Sequence, residues 1–393
     1  MTTGTGSDDS IRPFRIDIPQ ADVDDLRNRL AHTRWAQDLP GTGWTRGVPT
    51  TYLQELADYW GTGFDWRKAE AGLHAFPQFT TTIDGQSIHF LHVRSPEPEA
   101  MPLVVTHGYP SSVAEFLQVI GPLTDPRSHG GDPADAFHVV APSLPGYGFS
   151  MPLSDTDWEV GRTAKAWAEL MHRLGYERYF AHGGDIGGGV SGDIGKYDPD
   201  GAVAAHVNTD ETALALIGGM LPDDLDDLTE EQQAHVDRLR AYEADGRGYL
   251  QIQSTRPQTL AAGLTDSPAG QLAWIVEKFK EWTDLGDDTG LPNGSIDLDQ
   301  LLTTISIYWF TRTGATASAF IYAASHGERD WSPAPTPTGF AAFGTTDGLL
   351  KRVLNSGGWI QHFSEFDRGG HFPAMEAPDL LVGDIRSYFR GFR

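Results

Sequence analysis

The chain reads as an α/β fold, with a mostly parallel central sheet covered by helices on both faces and a helical cap inserted late in the sequence. Three observations carry this expectation. Short apolar runs alternate with helix-like stretches between residues 103 and 207, the pattern of buried parallel strands joined by crossover helices. The run 179–189 passes from an apolar strand through Gly183, Gly184 and Asp185 into a glycine-rich helix start, which predicts a tight strand-to-helix turn with a carboxylate at its apex. From about residue 210 to 324 the strand pattern stops, and mainly helical segments rich in Leu, Ala and acidic residues replace it.

Before the first parallel strand, residues 20–35 place Val23, Leu26, Leu30 and Trp35 at near-helical spacing, and residues 52–59 form a second helical pattern. With the aromatic residues Phe64 and Trp66 behind them, these short elements read as a wrap on a larger body. Residues 79–93 hold two strand-like runs split by Asp84 and Gly85, the signature of a hairpin. Strands are then expected at 103–106, 137–141, 179–181 and 204–207, with a helix over 158–174. After the cap come strands at 338–343 and 359–363 and a last helix at 380–389; Pro333, Pro335 and Pro337 mark a rigid connector. The expected organisation is an N-terminal extension over 1–95, a first core part over 96–209, the cap over 210–325 and a second core part over 326–393.

Composition narrows the function classes. The 393 residues exceed the usual single-domain size, and 11 Trp with 19 Phe can fill a sizeable core. A formal net charge of -25 argues against nucleic acid or an anionic membrane as partner and fits a solvated acidic surface. The absence of Cys excludes disulfides, thiolate catalysis and cysteine metal sites, and is compatible with a reducing cytosol. No apolar run reaches membrane-spanning length and the first ten residues lack signal-peptide features, so a cytoplasmic protein without a membrane anchor is expected.

The chemistry gathers around Asp185. At such an apex, residues two before and two after must be small for the backbones to pass, and Gly183 and Gly187 meet that demand. An aspartate there implies carboxylate attack on an electrophilic carbon and an alkyl ester. The turn His107, Gly108, Tyr109, Pro110 follows the first strongly apolar strand, where α/β-hydrolases build half of an oxyanion hole; the N–H of Ile186 would be the other half. His371 lies in a glycine-containing loop after the last strand, where the general base of that fold arrives. A carboxylate must orient it. Asp347, after the penultimate strand, is the first choice, and Asp210, after an earlier strand, is the alternative.

With these residues in place, the chain resembles an α/β-hydrolase-fold epoxide hydrolase of the microsomal type, N-terminal extension included. The resemblance rests on Phe14, Arg15 and Ile16, on Trp66 and Arg67, on the segment 76–79, and on the His-Gly-Tyr-Pro turn, the Gly-Gly-Asp elbow and the segment 366–372. It implies that Tyr249 and Tyr322, each in a matching cap stretch, are the two catalytic tyrosines. Phenols make chemical sense, because the leaving oxygen of an epoxide is poor and must receive a proton. The chain departs from the family pattern at Ile186, where relatives commonly carry Trp, at Tyr109 with Ser111 and Ser112, and at Asp347, one residue beyond the usual acid position. The expected activity is conversion of an apolar epoxide, aryl ones included, to a vicinal diol without cofactor or metal; homodimerisation is left open. Trp274, Tyr308, Trp309, Phe310 and Phe320 are the aromatics that suggest an aryl substrate. The rivals are a haloalkane dehalogenase with the same nucleophile and a noncatalytic small-molecule binder.

Overall fold

A computed structural model describes residues 9–393 except 39, 42, 213–224, 285–293, 329 and 331. Among the described residues nine strands form one sheet in the order β1-β2-β3-β5-β4-β6-β7-β8-β9. The strands are β1 (Arg12–Phe14), β2 (Gln78–Ile83), β3 (Gln86–Val93), β4 (Met101–Thr106), β5 (Phe137–Pro142), β6 (Tyr179–Gly183), β7 (Ala202–Asp210), β8 (Thr338–Phe343) and β9 (His362–Phe366).

From β5 to β9 every neighbouring pair is parallel, and β1, β2 and β3 add an antiparallel edge. The β2–β3 hairpin closes on Asp84 and Gly85, both with positive φ (50° and 77°), as a two-residue turn between right-twisted strands requires. Strand β1 was not expected from the sequence. Its three residues are too short for any period, and only pairing with Phe79 and Thr80 holds them extended. Strand β9 lies three residues later than the apolar run suggests, because Trp359 is 46% exposed and the ladder begins at His362.

The central strands are apolar throughout since both faces are covered. One face carries Val105, Phe180 and Ala204 against the helix Pro378–Phe389. The other carries Val104 and Ala181 against Ala164, Trp167 and Met171 of the helix Val160–Arg173. That helix starts on Glu159, whose carboxylate accepts the N–H groups of Gly161 and Arg162. Between β7 and β8 lie helices at Glu230–Asp245, Gly248–Thr255, Pro257–Asp266, Pro268–Trp282, Leu298–Thr311 and Gly314–His326. They sit over the carboxyl ends of the strands, where open α/β sheets bind ligands.

At the crossing of β4, β6 and the helix Ile186–Tyr197 backbone passes close to backbone. A Cβ on Gly187 would lie 1.9 Å from the carbonyl oxygen of Thr106, and one on Gly183 would lie 2.4 Å from the backbone of Gly187. Gly187→Ala is therefore expected to lower stability by about 3 kcal/mol or more, read as a fall in denaturant midpoint. Gly192→Ala, in the same helix with open space around it, should instead be neutral or stabilising by up to about 1 kcal/mol.

Candidate active site

Asp185 sits at the end of β6 with φ 52° and ψ -126°, a conformation that a residue with a side chain adopts only under constraint from its surroundings. The turn throws its carboxylate over the end of β4. There Oδ1 accepts the N–H of Tyr109 at 2.8 Å, and the N–H of Ile186 also points at the carboxylate. Gly108 is the residue that lets the two loops meet, since a Cβ on it would stand 2.4 Å from Cβ and Oδ1 of Asp185. Of the four residues expected around an oxyanion, Tyr109 and Ile186 thus present donors, and Gly108 presents space. His107 presents neither. Its Nε2 accepts the N–H of Leu144 at 3.2 Å, and burial pushes the imidazole down to about 4, so it is a neutral packing residue.

His371 reaches the same point from the loop after β9. Its Nε2 lies 3.5 Å from Oδ2 of Asp185, and its Nδ1 faces Oδ2 of Asp210 at 3.2 Å. Burial works against the imidazolium, but the charges and hydrogen bonds of Asp210 and Asp185 outweigh it and hold His371 well above the ordinary histidine range. Burial likewise works against ionised Asp185, and it is overcome by His371 and by the N–H groups of Tyr109 and Ile186, so the carboxyl is held below its usual value. Its side chain keeps 17% exposure, which leaves the carboxylate open to a substrate.

The carboxylate behind His371 is Asp210, and the first choice from the sequence, Asp347, is corrected. Asp347 lies four residues past the end of β8, where Gly344 (φ 75°) and Gly348 (φ 76°) turn the chain away. Its carboxylate is engaged elsewhere: it accepts from Nδ1 of His235 at 2.7 Å and from the N–H of Leu349, the first residue of the helix Leu349–Leu354, at 2.9 Å. Asp210 ends β7 in register with Phe343 and is 3% exposed. The Thr212 hydroxyl lies within reach of both its oxygens, 3.0 Å from Oδ1 and 2.9 Å from Oδ2, and Oδ2 also faces the imidazole.

The two tyrosines separate. Tyr249, in the helix Gly248–Thr255, is buried beside Asp185, and its ring stacks on Tyr109 at 6.0 Å and 7°. Burial and the neighbouring charge of Asp185 hold its phenol well above the usual value, so it carries its proton. Tyr322 does not join it. Its helix buries Ala317, Ser318, Phe320 and Ile321, which leaves Tyr322 at the rim, 39% exposed, with its ring flat on His326 at 4.1 Å.

The cap aromatics are mostly core. Tyr308 is buried and donates to the carbonyl of Ser111, Phe320 packs on Tyr147, and Phe310 packs on Trp66. Trp309 is buried with Arg29 over its ring, and Trp274 is half-buried against the same core. The aromatic that the sequence reading overlooked is Trp282, whose ring lies 4.8 Å from His371 and 5.4 Å from Tyr249. Its position at the last turn of an amphipathic helix gives no signal that distinguishes it from the other ten tryptophans. A cavity of about 860 Å³ among the described residues opens beside Asp185, Asp210 and His371 and runs past Leu250. No group of three His, Cys, Asp or Glu side chains converges on a metal-sized point among the described residues.

Comparison with known proteins agrees with this geometry. Residues 11–116 match a family model described as the epoxide hydrolase N terminus, and residues 101–192 match one described as the alpha/beta hydrolase fold. A protein of Stigmatella aurantiaca, provisionally named an epoxide hydrolase, is 42% identical, the match covering 98% of this chain and 86% of that protein. Epoxide hydrolase 1 of Sus scrofa is 35% identical over 97% of this chain and 89% of its own. Among solved structures, the epoxide hydrolase of Aspergillus niger superposes with TM-score 0.82 at 29% identity, over 98% of each chain. The juvenile hormone epoxide hydrolase of Bombyx mori superposes with TM-score 0.80 at 29% identity, over 98% of this chain and 95% of its own. A carboxylate on a strand-to-helix turn beneath a helical cap, and likeness of this extent over nearly the whole chain, have one reading: the protein belongs to the epoxide hydrolase family, in its microsomal branch.

Proposed function

We propose that this epoxide hydrolase opens apolar epoxides, aryl ones included, through a covalent ester on Asp185. The observation that carries the reading is a single one: an ionised, largely buried carboxylate held by two backbone N–H groups and facing an imidazole whose far side meets a second carboxylate.

In the first step an oxygen of Asp185 attacks an epoxide carbon, the ring C–O bond breaks, and the phenol of Tyr249 gives its proton to the departing oxygen. In the second, His371 takes a proton from water, and the resulting hydroxide attacks the ester carbonyl. The N–H groups of Tyr109 and Ile186, which bind the resting carboxylate, then face the tetrahedral oxyanion. The oxyanion collapses, the alkoxide leaves with the proton held by His371, and the water's other proton restores Tyr249. Asp210 keeps the imidazole oriented and stabilises its cation. Tyr322 has no place in this scheme. Ile186 follows Asp185 in the chain, Tyr109 binds its carboxylate through the backbone N–H with the Tyr249 ring stacked beyond, and Trp282 lies against His371, an aromatic and apolar setting that supports an apolar substrate.

Ester formation also changes the base. In the free enzyme Asp185 and Asp210 both raise the affinity of His371 for its proton; in the ester the charge of Asp185 is gone, and the imidazole releases that proton more readily. Only the neutral ring can activate water. The hydrolysis rate of the preformed ester should therefore climb with pH to a plateau and be lost as pH falls through the imidazole's pKa in the ester state. A stopped-flow rate that is flat or rises toward acid would remove His371 from this role.

Four further outcomes are expected. Single turnover in heavy-oxygen water should place the label in the peptide that contains Asp185, and His371→Ala should leave the unlabelled ester on that peptide by mass analysis. Asp210→Asn should slow ester hydrolysis by about 10³- to 10⁴-fold, by analogy with an orienting carboxylate in other triads. Asp347→Asn, which disturbs contacts to His235, Leu349 and Thr345, should lower the melting temperature and leave ester hydrolysis unchanged. The reverse ranking would return the role to Asp347.

A further inference from the structure

The loop that carries His371 is tied to the cap by a set of hydrogen bonds in which one side chain, Glu376, acts twice. Glu376 ends the short helix Pro373–Glu376 and is partly buried beneath the loop. Its Oε1 accepts the N–H of Phe372 at 2.9 Å, and its Oε2 accepts the N–H of Asp284 at 2.7 Å. Asp284 answers by accepting the N–H of Gly369 on Oδ2 at 3.1 Å, and the N–H of His371 itself donates to the carbonyl of Trp282 at 2.8 Å. Two segments, 369–372 and 282–284, are thus laced together across the top of the site.

The fit between them is close. A Cβ on Gly370 would stand 2.6 Å from the carbonyl oxygen of Trp282, 2.9 Å from the nitrogen of Asp284 and 3.2 Å from Oε2 of Glu376. Rings reinforce the lacing: Phe279 stacks on Phe372 at 4.2 Å and 12°, and Trp282 lies against His371. All of these cap atoms belong to the last turn of the helix Pro268–Trp282 or to the two residues after it. The chemistry selects a carboxylate. Two N–H donors, one on each oxygen, suit an ionised group; an amide or a protonated acid would offer one good acceptor and turn a donor toward the second N–H. Burial pushes the Glu376 carboxyl up to about 7, with the N–H groups of Asp284 and Phe372 pulling against it.

We propose that Glu376 is a positioning residue for the second half-reaction, fixing the His371 loop to the end of the cap helix so that Nε2 is aimed at the ester carbonyl. The proposal rests on the reading of His371 as the water-activating base. The oxygens of Glu376 are spent on Phe372 and Asp284 and not on Asp185 or Tyr249, so ring opening should proceed without them. Imidazole aim, by contrast, is sensitive, because a misplacement of about 1 Å at a reacting group costs on the order of 10²-fold in rate.

The test is Glu376→Gln in the full chain, with rapid-quench single turnover of styrene oxide to resolve ester formation from ester hydrolysis. Ester formation should stay within about threefold of the parent while hydrolysis slows by about 10- to 100-fold, so that adduct accumulates and kcat and KM fall together. Asp284→Ala removes the acceptor for Gly369; it should show the same split at smaller size and decides the matter if Glu376→Gln does not fold. An adduct that forms and clears at the parent rate in the folded variant overturns the positioning role alone. Rates of both steps falling in parallel with the folded fraction, followed by circular dichroism, also overturn it. Absence of any Asp185 adduct in the parent enzyme overturns the covalent reading on which the proposal rests.

Discussion

The left-handed turn at Asp185 is the constraint on which the rest of the site depends. A carboxylate at the end of a central strand would ordinarily lie in the sheet's own packing; φ of 52° lifts it to the crossing of three loops instead. That conformation survives because its surroundings leave no alternative: Gly183 and Gly187 pass within contact of Thr106, Gly108 passes beneath the side chain, and the N–H groups of Tyr109 and Ile186 take up the charge. The strain and its compensation come from three separate segments of chain, so the nucleophile exists only in the folded protein.

Holding the site ionised is the next demand. The carboxyls of Asp185 and Asp210 flank the imidazole of His371 in a region largely removed from water. Charges so placed persist only where hydrogen bonds and counter-charges replace hydration. Asp185 has the Tyr109 and Ile186 N–H groups, and Asp210 has the Thr212 hydroxyl. Asp210 is held at the rigid end of a paired strand, with Phe343 beside it in the ladder. Asp347 is set on a turn bounded by two left-handed glycines and is already spent on His235 and a helix N-terminus. Proximity along the chain to His371 favours Asp347, but strand geometry favours Asp210, and geometry decides.

The fold was legible because its signals are local. Alternation of apolar strands with helices, Asp84-Gly85 at a hairpin, and glycines flanking Asp185 each act over a few residues. Asp185, His371 and the Tyr109 and Ile186 donors were readable for the same reason, since each sits at the end of an identifiable strand or in a distinctive turn. What escaped depends on how distant elements meet. The engagement of Asp347 needs His235 from 112 residues away. The exposure of Tyr322 depends on which face its helix buries, and small or apolar residues stand on every side of that helix, so none of them marks the face. The short strand β1 has no periodicity to read, and the closeness of Trp282 to His371 follows from cap placement alone.

The leaving group the site can serve follows from where its donors are committed. A departing halide needs N–H groups from side chains aimed at one point and cannot use a proton. The position after the nucleophile, which could have supplied an indole, is Ile186, and the indole nearest the imidazole, that of Trp282, donates to the hydroxyl of Tyr242 at 2.8 Å. The backbone donors that remain, Tyr109 and Ile186, already hold the attacking carboxylate and lie on its side of the substrate. Tyr249 is different in kind. It keeps its proton, its ring is fixed flat against Tyr109, and Lys278 stands 4.6 Å over its face between Glu277 and Glu281. Burial and the neighbouring Tyr242 and Asp185 hold that proton on the phenol, and it is given up only where negative charge builds on an adjacent oxygen. Such a donor can neutralise an alkoxide but gives a halide nothing it needs, so the cap that closes this site is matched to breaking a carbon–oxygen bond.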